Sequence, residues 1–298
     1  MYRETIRFSL QLAAVFLGHR SLLSRFFKEN YHLTYSEATL LLALHEADAP
    51  VLLTPLADYL IFAKKTVLVI LVSLESKQLI TKENYSADKR LMSIRLTERG
   101  KDVASQTQKG LDKLVRSVFM ATLPKQDFET FMSNSIKAGV DDLRTHPAAE
   151  VFAANSTSSV IGVDFLIYWR VLYDKWEKIT CAESKLSFSS FRVLALLDES
   201  NNLSSCDIAD YLLIQRSGIT VCKNQLLANG LIRVKRDVSD GRRQSFTITA
   251  KGRKLVRSVD AKLNEITRVA HSHISDDGTA VLNAWYYRMN SNLQSMLH

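Results

Sequence analysis

Residues 207–252 read DIADYLLIQRSGITVCKNQLLANGLIRVKRDVSDGRRQSFTITAKG. Two short helical patterns, 207–213 and 216–229, lie only a few residues apart, which is the signature of a helix-turn-helix with the second helix as the recognition helix. Ser204 or Ser205 is placed to cap the first helix, and Arg216 or Ser217 opens the second. Asn229-Gly230 ends it, because glycine enters the left-handed conformation of a helix C-terminus without a Cβ penalty. Next, 231–236 and 245–249 alternate β-branched and basic residues around Asp240-Gly241, a tight-turn dipeptide. A helix-turn-helix followed directly by a basic hairpin predicts a winged helix. From Arg233 to Arg257, nine basic residues stand against Asp237 and Asp240, so much of the positive excess falls on the wing and the start of the next helix.

The pattern occurs twice. Pro55-Leu-Ala-Asp-Tyr-Leu60 returns 152 residues later as Asp207-Ile-Ala-Asp-Tyr-Leu212. At the same offset Val69, Leu74, Leu79, Ile80, Asp88, Arg90, Thr97 and Gly100 meet Val221, Leu226, Leu231, Ile232, Asp240, Arg242, Thr249 and Gly252. A one-residue shift aligns Leu33-Thr-Tyr-Ser36 with Leu186-Ser-Phe-Ser189. Register held over this length with one gap marks a duplicated domain. Between the copies Arg144-Thr-His-Pro-Ala-Ala-Glu150 and Asn155-Ser-Thr-Ser-Ser159 have the small, polar composition of a connector. The expected division is therefore 1–145, a linker at 146–160, and 161–298. Long amphipathic helices are expected at the ends of each copy, near 5–29, 101–143, 163–180 and 251–296.

The chain has 298 residues, with 39 Lys and Arg against 31 Asp and Glu, a net charge of +8 that favours a polyanionic partner. There is no apolar run long enough to span a membrane and no cleavable leader pattern, so a cytoplasmic protein with no membrane partner is expected. Three cysteines, Cys181, Cys206 and Cys222, lack metal-site or disulfide spacing. Each reads as a partly buried, inert thiol. His271-x-His273 ahead of Asp276-Asp277 diverges on a helix, and no metal is expected there. The aromatics Phe26, Phe27, Tyr31, Trp169, Tyr173 and Trp176 read first as core, with an effector pocket as the alternative. No glycine-rich phosphate loop, nucleophile elbow or H-E-x-x-H is present, so catalysis is not expected.

The stretches Asn229-Gly-Leu-Ile-Arg233, Asp240-x-Arg242-Arg243 and Thr249-x-x-Gly252, with Asp88-x-Arg90 and Thr97-x-x-Gly100 in the first copy, resemble the MarR family. Two such domains in one chain are similar to tandem members of its SarA branch. The resemblance implies a mainly α fold with small β-hairpin wings, in which two tandem winged helix-turn-helix domains form an intramolecular pseudo-dimer. It implies a bacterial, nucleoid-associated regulator that binds double-stranded promoter DNA as a monomer, with no cofactor and at most an unidentified small-molecule effector.

Carried over by position, Arg216, Ser217, Thr220 and Lys223 would face the major groove in the second copy, and Lys64, Lys65, Thr66 and Leu68 in the first. The wings would bring Arg233, Lys235, Arg236, Asp240, Arg242 and Arg243, and in the first copy Lys82, Asp88, Lys89 and Arg90. Arg242 would enter the minor groove, preset by Asp240. The first copy departs from the pattern: its recognition helix begins Lys-Lys-Thr-Val-Leu-Val-Ile-Leu-Val, and Gln78 stands where Gly230 stands in the second. Val67, Val69 and Ile70 are then either buried or in contact with thymine methyls or another protein. The second copy is expected to be the stronger base reader on an asymmetric operator. Two other functions fit a tandem winged helix: a plasmid-type replication initiator, and a protein-interaction module without DNA binding.

Overall fold

The structure, a computed structural model, describes residues 7–47, 49–85, 88–120, 127–144, 152, 162–200, 202–212, 214–236, 244–272, 274 and 276–297. It is mainly helical. The first copy runs α1 (Leu10–Tyr31), α2 (Tyr35–Ala47), β1 (Val51–Leu52), α3 (Leu53–Leu60), α4 (Lys64–Ser76), β2 (Ile80–Tyr85), β3 (Asp88–Leu96), α5 (Glu98–Val115), a π-helical turn Arg116–Met120, and α6 (Asp127–Leu143). The second runs α7 (Val163–Ser184), α8 (Phe188–Glu199), β4 (Leu203–Ser204), α9 (Ser205–Leu212), α10 (Arg216–Ala228), β5 (Ile232–Arg236), β6 (Gln244–Ile248), α11 (Ala250–Ala270) and α12 (Asp276–Leu297). Both three-stranded sheets are antiparallel, with orders β1-β3-β2 and β4-β6-β5. In each, the second strand of the hairpin is central, and the two-residue strand ahead of the helix-turn-helix closes its other edge. This is the winged-helix topology, present twice.

Local chemistry explains the boundaries. Thr34 and Glu37 form a capping box on α2, with Thr34 N–H donating to Glu37 Oε2 at 2.7 Å and Glu37 N–H to Thr34 Oγ1 at 3.2 Å. The aligned Ser187 caps α8 by accepting from Ser190 N–H at 3.1 Å. Of the two serines offered for α9, Ser204 does the capping, in a reciprocal pair with Asp207. The long segment 251–296 is two helices rather than one, and in 101–143 residues 121–126 lie outside the described ones. Between α11 and α12, Ile274 N–H closes a turn on the His271 carbonyl.

The Thr-x-x-Gly motif that opens the helix after each wing has two physical jobs. Thr97 Oγ1 accepts from Gly100 N–H at 2.9 Å and donates to the Gln78 carbonyl at 2.8 Å. Thr249 repeats both, with Gly252 N–H at 3.1 Å and the Gly230 carbonyl at 2.9 Å. The glycine lets the helix lie against the backbone that leads into the first wing strand: a Cβ on Gly100 would fall 1.9 Å from the Leu79 carbonyl oxygen, and one on Gly252 2.5 Å from that of Leu231. At the end of the recognition helix Gly230 has φ 66°, as its position in sequence requires, and Gln78 adopts φ 60° at the equivalent place. A side chain there costs about 1 kcal/mol.

The chain divides into two compact units. One holds His19–Val171 and Ala270–Ser275; the other holds Met1–Gly18, Leu172–Val269 and Asp276–His298. The division falls inside α1 and inside α7, 153 residues apart, at the offset that relates the two N-terminal helices. Each unit thus includes the start of the N-terminal helix of the other repeat. The proposed linker 146–160 lies outside the described residues except for Phe152.

In the first-copy unit Trp169 is buried and stacks on His19 at 4.3 Å between ring centroids, and Tyr168 hydrogen-bonds His271 at 2.7 Å. Burial holds His19 well below its ordinary pKa, in the neutral form. In the second-copy unit Trp176 is fully buried beside Phe8 and Phe16, with centroids 5.2 and 4.7 Å away, and its indole N–H donates to Thr267 Oγ1 at 3.0 Å. Trp169, Trp176, Tyr173 and Phe27 are core, as expected, while Phe26 and Tyr31 are half-buried. Among the described residues no helix is long and apolar enough to cross a membrane, and no three His, Cys, Asp or Glu side chains converge on a metal position.

The two kinds of glycine respond differently to substitution. Gly230→Ala meets open space and carries only the left-handed penalty, about 1 kcal/mol. Gly252→Ala drives a methyl into a backbone carbonyl and is expected to cost about 2 kcal/mol or more. Urea unfolding of the two variants ranks them; the reverse order contradicts the close approach of α11 to the Leu231 backbone.

Candidate nucleic-acid interface

α4 buries Leu71 in addition to the three positions, shared by both copies, that fix the rotation of each recognition helix about its axis. On α4 these are Val67, Ile70 and Leu74; on α10 they are Ile219, Cys222 and Leu226, each set buried to 7 % exposure or less and related residue by residue by the repeat. The opposite faces are open. Lys64 and Lys65 on α4, and Arg216, Ser217 and Thr220 on α10, are exposed, and Thr66 is half-buried. Neither N-cap residue, Ala63 or Gln215, supplies a side-chain hydrogen bond to its helix. The first-turn N–H groups therefore have no side-chain cap, beside the lysines of α4 and the arginine of α10.

Two sequence-assigned cations are engaged within the protein. Lys82 pairs with Glu75 at the end of α4, which offsets its charge. Lys223 is half-buried with its ammonium 5.8 Å from the centre of the Phe246 ring, so it turns toward the sheet. Arg233 and Lys235 are exposed and, two apart on β5, share one face of that strand, opposite Thr247 and Ser245 of β6. Arg236 and the Asp88, Lys89, Arg90 segment lie on wing strands. Asp240, Arg242 and Arg243 lie outside the described residues. Of the ambiguous apolar residues, Val67 and Ile70 are buried and Val69 is exposed. Cys222 is buried as expected, but Cys181 and Cys206 are exposed: one sits on an outward position of α7, the other near the open start of α9.

Several anchoring residues were not singled out from sequence. Glu37, nearly buried, accepts both from the Lys77 ammonium, at 2.7 and 2.8 Å, and from Ser73 Oγ at 2.5 Å. It ties the start of α2 to the end of α4. Burial alone would raise its pKa, but the hydrogen bonds from Lys77, Ser73 and Thr34, with the lysine charge, hold it below the ordinary value. At the end of α3 Arg170 donates to the carbonyl of Leu60 and lies 3.9 Å from the centre of the Phe62 ring. At the equivalent place in the second copy Arg192 donates to the Leu212 carbonyl at 2.8 Å. Burial lowers the Arg192 pKa to about 10, still ionised at neutral pH. Both turns between the helix-turn-helix helices are thus held by a buried guanidinium, reached from different helices. Arg192 had a signal, a lone charge in the apolar run Phe191 to Leu197; Arg170, on an ordinary amphipathic helix, had none.

Residues 22–107 match the family model described as Transcriptional regulator SarA/Rot, and residues 186–243 match that of the MarR family. The chain carries two transcription-regulator winged-helix domains in tandem. Solved structures similar to one such domain include the transcriptional regulator SlyA, at 18% identity and a TM-score of 0.42 over 45% of this chain and 96% of that one. BpsR of Bordetella bronchiseptica is 24% identical with a TM-score of 0.36, covering 40% of this chain and 88% of its own. Sco3205 of Streptomyces coelicolor, solved in complex with DNA, is 22% identical with a TM-score of 0.36, over 39% and 77%. No curated protein matches the chain.

Within the first-copy unit, Glu46 accepts from Val163 N–H at 2.9 Å and from the Tyr59 hydroxyl at 3.0 Å. Arg144 joins the group through Asp164 at 2.7 Å, and Tyr59 stacks on Phe152 at 3.9 Å. Burial, reinforced by the nearby Asp164, raises the Glu46 pKa from 4.5 to about 7. A raised carboxylate stabilises the fold fully below its unfolded value, and that contribution is lost as pH rises toward about 7. The first-copy unit should therefore weaken between pH 5 and 8, by up to ~3 kcal/mol from this group. Glu46→Gln should flatten that dependence and exceed the parent in stability at pH 8. Urea titrations at the two pH values test this, and an unchanged slope in the variant contradicts it.

Proposed function

We propose that this chain is a sequence-specific, double-stranded-DNA-binding transcription regulator, acting as a single-chain pseudo-dimer in which α4 and α10 enter successive major grooves. One observation supports it most directly: the two recognition helices bury equivalent residues and open equivalent faces beside basic wings. A protein-interaction module would not need a lysine or arginine at each helix start together with the Arg233 and Lys235 face of β5. The halves of the pseudo-dimer are 1–145 and 161–298, joined by 146–160. As a binder of chromosomal DNA it resides with the nucleoid in the cytoplasm.

The second domain is the stronger base reader. Arg216, Ser217, Thr220 and Asn224 on the open face of α10 are hydrogen-bonding groups suited to base edges and phosphates. The first domain supplies lysine anchoring at Lys64 and Lys65, with Thr66 half-buried beside them and Asp88, Lys89 and Arg90 on its wing.

Fluorescence anisotropy against promoter fragments, with the mass of the complex recorded, tests the proposal. One chain per site is expected, selective among fragments. If six or more phosphates are contacted, affinity should fall by about a thousandfold or more between 50 and 200 mM salt. Unselective or salt-independent binding contradicts the regulator reading. Origin-repeat binding with duplex melting would favour a replication initiator. In the same assay Arg242→Ala should weaken binding more than Arg90→Ala. Equal losses count against the stronger second half.

A further inference from the structure

Packing leaves an apolar stripe on α4. Leu68, Val69 and Val72 are 43%, 71% and 62% exposed. With exposed Lys65 they occupy positions i, i+3, i+4 and i+7, one face of the helix. The core does not account for them, since Val67, Ile70, Leu71 and Leu74 already fill the buried side. On α10 the same four positions hold Ser217, Thr220, Val221 and Asn224, with Val221 69% exposed. The stripe is therefore one reading surface in two chemistries: mostly hydrogen-bonding on α10, wholly apolar beyond the lysines on α4.

The repeat identifies the occupant. Equivalent faces of duplicated helices, each starting with a cation, meet the same class of partner, and on α10 that class is a base-edge surface between phosphates. Apolar side chains cannot pair with the donors and acceptors of G, C or A, and covering those groups unpaired is unfavourable. Only thymine offers an apolar group, its C5 methyl, in the major groove. From Leu68 to Val72 the helix rises about 6 Å, roughly two base-pair steps.

We infer that α4 reads thymine methyl groups through Leu68, Val69 and Val72. The half-site under α4 is specified by where methyls stand, the half-site under α10 mainly by hydrogen bonds. This rests on the DNA-binding reading above and deepens it.

Deoxyuridine substitution isolates the methyl, because uracil keeps every hydrogen-bonding group of thymine. The half-site under α4 is first assigned as the one that loses footprint protection when Lys64 and Lys65 are replaced by Ala. Within it, each contacted thymine changed to deoxyuridine should weaken binding about fourfold, the ratio expected for one buried methyl. The same substitutions under α10 should have a smaller effect. Val69→Thr with Val72→Thr keeps shape at two exposed positions, so the fold is retained. In that variant the deoxyuridine penalty should shrink, whereas a penalty arising from DNA shape would persist.

Selective binding that is insensitive to deoxyuridine under α4, or a penalty unchanged in the threonine variant, overturns this inference and leaves the regulator reading intact. Self-association abolished by the same threonines, on a methyl-insensitive operator, would assign the stripe to a protein partner and also overturns it. Loss of all selective DNA binding by the parent chain would remove both.

Discussion

Everything that the two recognition helices present to solvent follows from the burial of the same three positions on their inner faces. Successive helix residues are about 100° apart, so fixing Val67, Ile70 and Leu74, or Ile219, Cys222 and Leu226, leaves no freedom in which residues point outward. Each buried aliphatic side chain contributes roughly 1.5–3 kcal/mol. Rotating the helix would forfeit several of these at once. No surface ion pair, at about 0–1 kcal/mol, competes with that. The core thus sets the reading face, and the reading face then diverges between copies without disturbing the core.

The copies hold the same geometry by different means, and magnitudes show where each can tolerate change. At the end of its recognition helix the first copy accepts a left-handed Gln78, at about 1 kcal/mol. It adds the Glu37, Ser73 and Lys77 link across α2 and α4, a nearly buried carboxylate that would be costly to leave unpaired. The second copy has Gly230 at that point and Ser190 in place of Glu37, and there Gln225 ties α10 to the segment leading into α8 by donating to the Lys185 carbonyl at 3.5 Å. A buried guanidinium holds each turn ahead of the recognition helix, Arg170 or Arg192, by donating to a carbonyl that the end of α3 or α9 leaves without a helical partner.

The winged-helix fold was legible in residues 207–252 because each element carries a local signal: capping serines, a C-terminal glycine, a turn dipeptide, a threonine placed to cap the next helix. The repeat extended those signals to the first copy. What stayed hidden depends on partners distant in the chain. Amphipathic spacing in α1 and α7 shows that each has an apolar face, but not that the unit division falls within each helix. Lys82 looks in sequence like any wing cation, and only the approach of Glu75 shows it to be paired. The helix at 64–76 is apolar almost all round, so its periodicity could not separate buried Val67 from exposed Val69. Cys181 and Cys206 were misjudged because cysteine is so often buried that composition outweighed position.

Duplication within one chain gives these differences a physical consequence. A homodimer carries two identical reading helices and so favours a symmetric operator. Once both copies share a polypeptide, each helix changes independently, and the first copy carries Lys64-Lys65 where the second carries Arg216-Ser217. A surface that reads only methyl groups would bind weakly alone, since each contact is worth about 0.8 kcal/mol. On the proposed function it is tethered to a domain already on DNA and works at an effective concentration of millimolar order, where weak contacts still add selectivity. On that proposal the apolar face of α4 is tolerable on this chain for the same reason that it would fail on an isolated winged helix.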